Sequence, residues 1–558
     1  MKNNILDFKD YIVFAVYFVI VAAYGFYIYR KKKSAKADSK DYFLAEGSLT
    51  WWAIGASLIA SNISAEQFIG MSGSGFKMGL AIATYEWMAA ATLIIVAIFF
   101  IPVYLKNKIA TMPQFLHQRY NGTVAMIMAV FWLLLYVVVN LTSILYLGAL
   151  AVSSISGFSI EACMYAIAAF AIIITLGGMK VIGYTDVIQV FFLILGGLAT
   201  TYLALNLVSE HYGTNGILEG YSLMTEKASE HFHMVLKPDN ENYIDLPGLS
   251  VLIGGMWIVN LNYWGCNQYI TQRALGADLN TARGGLLFAA FLKLLMPIIV
   301  VLPGIAAYVL YKDGKFQTEM MHDGSLNPDR AYPVLLNLLP AGLKGLSFAA
   351  LTAAVVASLA GKANSIATIF TLDVYKKVFN SNATEKNLVT TGKITIVVAM
   401  VLAVLIAPHL GIDKKGGFQY IQEYTGFVSP GIFAMFILGF FWKRTTSNAA
   451  LFATIGGFLI SIFLKVLPKL ADLSWLSPLG FSVKNADGVY EIPFIDRMGF
   501  VFIFCVIGMV IISTFRKKGD DVSKGLDIDV SMFRTTKGFA IGTIIIVGLL
   551  VALYSIYW

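Results

Sequence analysis

The chain has 558 residues, of which 58% are hydrophobic and 13% charged, against about 45–50% apolar and 25% charged in soluble domains. Its formal charge of +8 would suit nucleic acid, but the basic residues lie between apolar runs rather than in one soluble basic domain, which excludes that class. Cys163, Cys266 and Cys505 all fall inside apolar runs, which excludes a disulfide framework and a cysteine-based zinc site.

A helix needs about 20 apolar residues to cross the hydrocarbon. Runs of this kind recur fourteen times, near 9–30, 51–75, 80–104, 121–152, 160–177, 184–207, 249–274, 284–311, 342–372, 388–410, 417–442, 446–468, 497–515 and 538–557. The expected class is an all-α polytopic membrane protein with about 14 transmembrane helices. The first run does not read as a cleaved leader, because its basic cluster, Arg30-Lys31-Lys32-Lys33, follows it. That cluster, with Lys36 and Lys40, falls on the same side as Lys106, Lys108, Arg273, Lys376-Lys377, Lys443-Arg444 and Arg516-Lys517-Lys518. Basic residues gather on cytoplasmic loops, so both termini are expected outside, with the 208–248 and 312–341 loops. His211, His231 and His233 in the first of these loops read as solvated rather than metal-binding, since no cysteine or paired carboxylate stands at ligand spacing.

The second and seventh runs are interrupted near their middles. Ser57, Asn62, Ser64, Glu66, Gln67, Gly70, Gly73 and Gly75 break one; Gly254, Gly255, Asn260, Asn262, Gly265, Asn267 and Gln268 break the other. Irregular backbone at that depth must face protein or a cavity rather than lipid. Small residues also serve close helix packing, but two such breaks five spans apart point to an inverted-repeat transporter with its binding site at the breaks. The expected divisions are an N-terminal flank 1–50, repeats 51–207 and 249–442 separated by the external loop 208–248, and a C-terminal flank 443–558.

Charged side chains inside spans cost a few kcal/mol each, so they must face a cavity or a partner. Glu66, Gln67, Glu86, Asp186, Lys293, Lys362, Gln422 and Glu423 are such residues. Gln67, Glu86, Asn260, Lys293 and Gln422 offer the donors and acceptors that a hexose requires, and Tyr263 offers a ring for its C–H face. Glu86 and Lys293 read equally as an ion pair holding helices together, and Tyr263 as a packing aromatic. No phosphate loop, nucleophile elbow or metal-ligand cluster supports an enzyme. A membrane solute sensor is the remaining reading from a different class.

The stretches Ala56–Gly75, Tyr184-Thr-Asp-Val-Ile-Gln189 and Phe418–Gly431 resemble the sodium/solute symporter family, above all its hexose-carrying bacterial members, and the likeness runs from Asp41 through the final span. The resemblance implies a five-plus-five inverted-repeat core with discontinuous second and seventh helices in a bacterial inner membrane. It also implies sodium-coupled symport of a sugar such as galactose or glucose by alternating access. Carried over residue by residue, it places sugar contacts on Gln67, Glu86, Asn260, Lys293 and Gln422, a stacking inner gate on Tyr263, and an outer gate on Met71, Tyr85 and Phe418. It places sodium on Ala60, Ile63, Ala354 and Ser358. Three positions depart from the family pattern: Ala89 and Ala357 stand in place of serines, and Lys362 in place of an apolar residue. Lys362 lies one turn after Ser358, so its ammonium can reach toward the cation site or Asp186, as an internal cation that replaces sodium or links transport to protons, or else snorkel to the inner surface. Sialic acid, proline, inositol or a carboxylate are the other solutes the family suggests; Glu86 opposes an anion.

Overall fold

The computed structural model describes residues 6–31, 42–43, 49–322, 324–409, 417–485, 487–515 and 525–558. Most of the basic run after Arg30, Asp41 and the Arg516-Lys517-Lys518 cluster lie outside the described residues. All fourteen predicted runs fall on helices. In chain order the main ones are α1 (Phe8–Lys31), α2 (Trp51–Asn62), α3 (Ser72–Met78), α4 (Thr84–Ile95), α5 (Gly122–Leu134), α6 (Thr142–Ser156), α7 (Ile160–Thr175), α8 (Gly178–His211), α9 (Gly255–Gly265), α10 (Gln268–Leu275), α11 (Leu279–Lys312), α12 (Leu343–Thr368), α13 (Glu385–Ile406), α14 (Gly417–Gly426), α15 (Ser429–Phe441), α16 (Gly457–Val466), α17 (Phe494–Thr514) and α18 (Lys537–Ile556). Among the described residues, strands are limited to two short hairpins, Met321–His322 with Ser325–Leu326 and Val483–Lys484 with Tyr490–Glu491.

Ten helical stretches are individually long and apolar enough to cross a membrane, and an eleventh span is the α14–α15 pair, bent by 52°. The difference from fourteen has a physical origin at the breaks. At 12 residues α2 reaches about 18 Å, roughly half the hydrocarbon thickness, and only with Glu66–Met78 beyond the break does it make a span. The continuous stretch Glu66–Lys106 is in turn divided at Gly79, whose φ of 69° ends α3. α7 and the twice-broken Gly248–Leu275 are the other spans that length alone misses.

Small residues bring the central helices together. A Cβ on Gly304 of α11 would lie 2.0 Å from the Ser72 carbonyl oxygen, and one on Gly197 of α8 would lie 2.0 Å from an Ile299 methyl carbon. α2, α3, α4, α8, α11 and α12 thereby enclose the polar residues of both breaks. Two sequence expectations are corrected. Arg273, counted with the inner loops, is fully buried in α10, and His231, read as solvated, is buried against Phe76 and Tyr308.

Candidate solute and cation site

The first break is built by side chains that take over the duties of backbone. After Asn62 the chain turns extended at Ile63 (φ −81°, ψ 111°). In an unbroken helix the Ser64 and Glu66 amides would bond the carbonyls of Ala60 and Asn62. Here the Ser64 amide donates to Gln67 Oε1 (3.0 Å) and the Glu66 amide to Ser64 Oγ (3.1 Å), which releases those carbonyls. The neighbouring Ser61 carbonyl accepts from the Tyr269 hydroxyl (2.7 Å) and from Ser358 Oγ of α12 (2.9 Å). At the second break Asn267 is likewise extended (φ −105°, ψ 119°), and the Gly265 carbonyl accepts from Tyr104 (2.6 Å).

A polar cluster joins the two breaks. Lys293 of α11 donates to both Glu86 of α4 and Asn62 of α2, and its ammonium lies 5.3 Å from the Trp264 ring centre. Asn62 Nδ2 donates to the Tyr263 hydroxyl (3.1 Å), which is hydrogen-bonded to that of Tyr269. Glu86 and Lys293 are 3% and 1% exposed, so the pair is sealed from water. Gln67 and Asn260 are buried beside it; Gln67 spends its oxygen on the Ser64 amide, and its Nε2 makes no hydrogen bond among the described residues. Asn260 Nδ2 bonds the Met256 carbonyl at 3.2 Å. Gln422 is partly buried, and only its backbone carbonyl is engaged, by Thr425.

Beyond Tyr269 lies a second charged group. Asp186 of α8 accepts from Ser57 Oγ (2.6 Å), and Ser57 Oγ accepts from Arg273 Nε (2.9 Å), so one hydroxyl bridges acid and guanidinium. Lys362 is held elsewhere: its ammonium sits 5.0 Å from the Tyr269 ring centre and it is 4% exposed. It neither reaches the inner surface nor pairs with Asp186. Ala354 and Ala357 are buried on the same helix without polar side chains.

Tyr85 and Phe418 meet edge to face at 5.0 Å, and Met71 is fully buried. The contact depends on Gly70, where a Cβ would come within 2.8 Å of the Phe418 amide nitrogen. Glu423, one residue beyond Gln422, is tied to Lys465 (2.7 Å) and Arg497 (3.0 Å). Asn62, Tyr269, Arg273 and Ser57 were not singled out from the sequence as site residues. Asn62 and Ser57 belong to the first broken run, but nothing in the sequence shows their partners, which lie 129 to 231 residues away.

Two helices broken within the membrane around an enclosed polar cluster define a multi-pass membrane transporter of the inverted-repeat kind. A family model described as "Sodium:solute symporter family" matches residues 42–457. The sodium/glucose cotransporter of Vibrio parahaemolyticus is 46% identical over 99% of both chains, and the human sodium/myo-inositol cotransporter 2 is 33% identical over 83% of this chain and 70% of that one. The substrate-bound outward-open structure of a Na+-coupled sialic acid symporter shares the fold, with a TM-score of 0.75 at 22% identity over 92% of this chain and 98% of that one. The chain belongs to the sodium:solute symporter family.

Proposed function

We propose that the protein is a secondary active transporter that couples sodium entry to uptake of a hexose such as glucose or galactose, by alternating access across a bacterial inner membrane with both termini outside. The observation that carries this reading is the buried cluster in which Lys293 bridges Glu86 and Asn62 between the two broken helices. Its mixture of donors and acceptors suits a ring of hydroxyls, and the 46% identical relative is named a sodium/glucose cotransporter.

In this reading Gln67, Glu86, Asn260, Lys293 and Gln422 bond the sugar, and Tyr263 covers its C–H face and closes the inner side. Met71, Tyr85 and Phe418 close the outer side. Sodium takes the carbonyls of Ala60, Ile63 and Ala354 with the Ser358 hydroxyl. Coupling follows from adjacency: sodium at Ile63 fixes the backbone that carries Asn62, and Asn62 bonds both Lys293 and the Tyr263 gate. Each ligand then favours the same conformation, the condition for linkage between them. The repeats run 51–207 and 249–442.

A cyclitol is the second reading, favoured by the human myo-inositol relative. Counterflow of labelled glucose, galactose and myo-inositol in proteoliposomes separates them: exchange of a hexose alone supports the first reading, exchange of myo-inositol alone the second, and exchange of none removes both.

A further inference from the structure

A cavity of about 800 Å3, sharing no residue with the solute site, lies between α5, the short helix Met112–Arg119 before it, and Ile369–Phe379, the helical segment that continues α12. That size falls in the range of small-molecule sites. Its lining combines polar side chains, among them His117, Gln118, Lys376 and Lys377, with the apolar Met126, Leu372 and Val378. The two kinds are sorted along the chain. His117 and Gln118 stand ahead of α5 and Met126 one turn inside it, while Lys376 stands one turn beyond Leu372. α5 starts, and Ile369–Phe379 ends, on the side where Lys106 and Lys108 also fall, so both walls turn from apolar to polar toward that side. Val378 and Phe379, both largely exposed, follow the two lysines directly, the pattern of a helix end where hydrocarbon meets headgroups.

The charge in the cavity is unbalanced. Asp373 is its one carboxylate among the described residues, and it is already matched: buried, it accepts from Thr111 Oγ1 at 3.0 Å and from Lys377 Nζ at 2.8 Å. Lys376 is left as the surplus cation, with no ion pair or hydrogen bond among the described residues, and the His117 and Gln118 side chains are likewise unengaged there. A surplus ammonium and neutral donors beside an apolar groove suit an anion that carries hydrocarbon. A soluble phosphate ester would meet the same ammonium but leave the apolar wall bare.

We infer that this cavity is a site for an anionic phospholipid, whose phosphate lies against Lys376, His117 and Gln118 and whose acyl chains run along Met126, Leu372 and Val378. The site goes beyond sodium-coupled sugar transport and needs only a chain that spans a membrane, so it stands or falls apart from that reading. In the orientation proposed above, the lipid belongs to the cytoplasmic leaflet.

The test is native mass spectrometry of the purified full chain in detergent with equal amounts of phosphatidylglycerol and phosphatidylcholine of the same acyl chains. The native protein is expected to retain phosphatidylglycerol over phosphatidylcholine by about fivefold, the worth of one lysine near an anionic headgroup. Lys376→Gln, at an exposed position that folding tolerates, is expected to bring that ratio to about one. Met126→Trp, which fills the groove and leaves every charge in place, is expected to lower retention of the lipid as well. Lys443→Gln, which removes a loop charge outside the cavity, is expected to keep the native ratio. Equal retention of the two lipids by the native protein, or a preference that survives Lys376→Gln, would overturn the inference, as would its equal loss in Lys443→Gln. Glycerol phosphate that binds with the same dependence on Lys376 and is unaffected by Met126→Trp would also overturn it, in favour of a soluble phosphate ester.

Discussion

Replacing Glu86 by Gln removes a negative charge and little else, which makes it the sharpest probe of the central pair. Lys293 is 1% exposed and donates to Glu86 and Asn62, with Trp264 5.3 Å away. Breaking a buried pair from one side costs about 3–5 kcal/mol. The glutamine carbonyl still accepts a hydrogen bond from the ammonium, which returns roughly 1.5–3 kcal/mol, so a net loss of about 1–3 kcal/mol is expected. Lys293→Met strands a buried carboxylate and should cost the fuller 3–5 kcal/mol, whereas the double variant Glu86→Gln/Lys293→Met removes both charges and should return to within about 1 kcal/mol of the native protein. Denaturant unfolding of all four purified proteins gives the coupling, expected to be at least about 3 kcal/mol, and hexose uptake by the same preparations should stay lost in the double variant. Single losses that simply add, with a coupling under about 0.5 kcal/mol, would refute the reasoning.

Ser358→Ala removes the hydroxyl that meets the Ser61 carbonyl and is expected to raise the sodium half-saturation for uptake several-fold, while Ala357→Ser adds a hydroxyl one residue away and is expected to lower it by about 2–10-fold, the value of one hydrogen bond. Ala89→Ser, one turn beyond Tyr85 and Glu86 on α4, should change the ratio of galactose to glucose uptake by about 2–10-fold, as measured by competition. In the 208–248 loop, burial against Phe76 and Tyr308 holds the His231 imidazole below its ordinary pKa, with Glu230 and Lys312 as the charged groups facing it. The unfolded histidine therefore binds protons first, so this residue's contribution is complete above about pH 6.5 and is lost as pH falls below it. Limited proteolysis of the 208–248 loop should be faster at about pH 5 than at about pH 7.5, and His231→Phe should flatten the difference.

The fold was legible because the bilayer imposes a length on every span, and glycines and amides inside an apolar run cannot face lipid. Glu86, Lys293 and the first break were legible for the same reason: each is too costly to bury without a partner. Partner choice was not. Lys362 has Asp186 and the inner surface within plausible reach along the sequence, and only the packing of α12 against α10 directs it over the Tyr269 ring. Arg273 reads as a loop cation because Gln268-Tyr-Ile-Thr-Gln-Arg273 is polar in sequence. It is buried because Ser57 and the Tyr269 carbonyl receive its donors, an arrangement that no local pattern encodes. His231 was misread likewise, since its burial depends on Tyr308 stacking 3.9 Å away from a distant helix.

Uptake of labelled glucose and galactose into proteoliposomes under an inward sodium gradient, with matched sodium-free and proton-gradient controls, tests the coupling of the two breaks most directly. The account predicts accumulation of at least one hexose above its external concentration, dependent on sodium and abolished when the gradient is collapsed. Equilibration that proceeds at the same rate with or without sodium would contradict it.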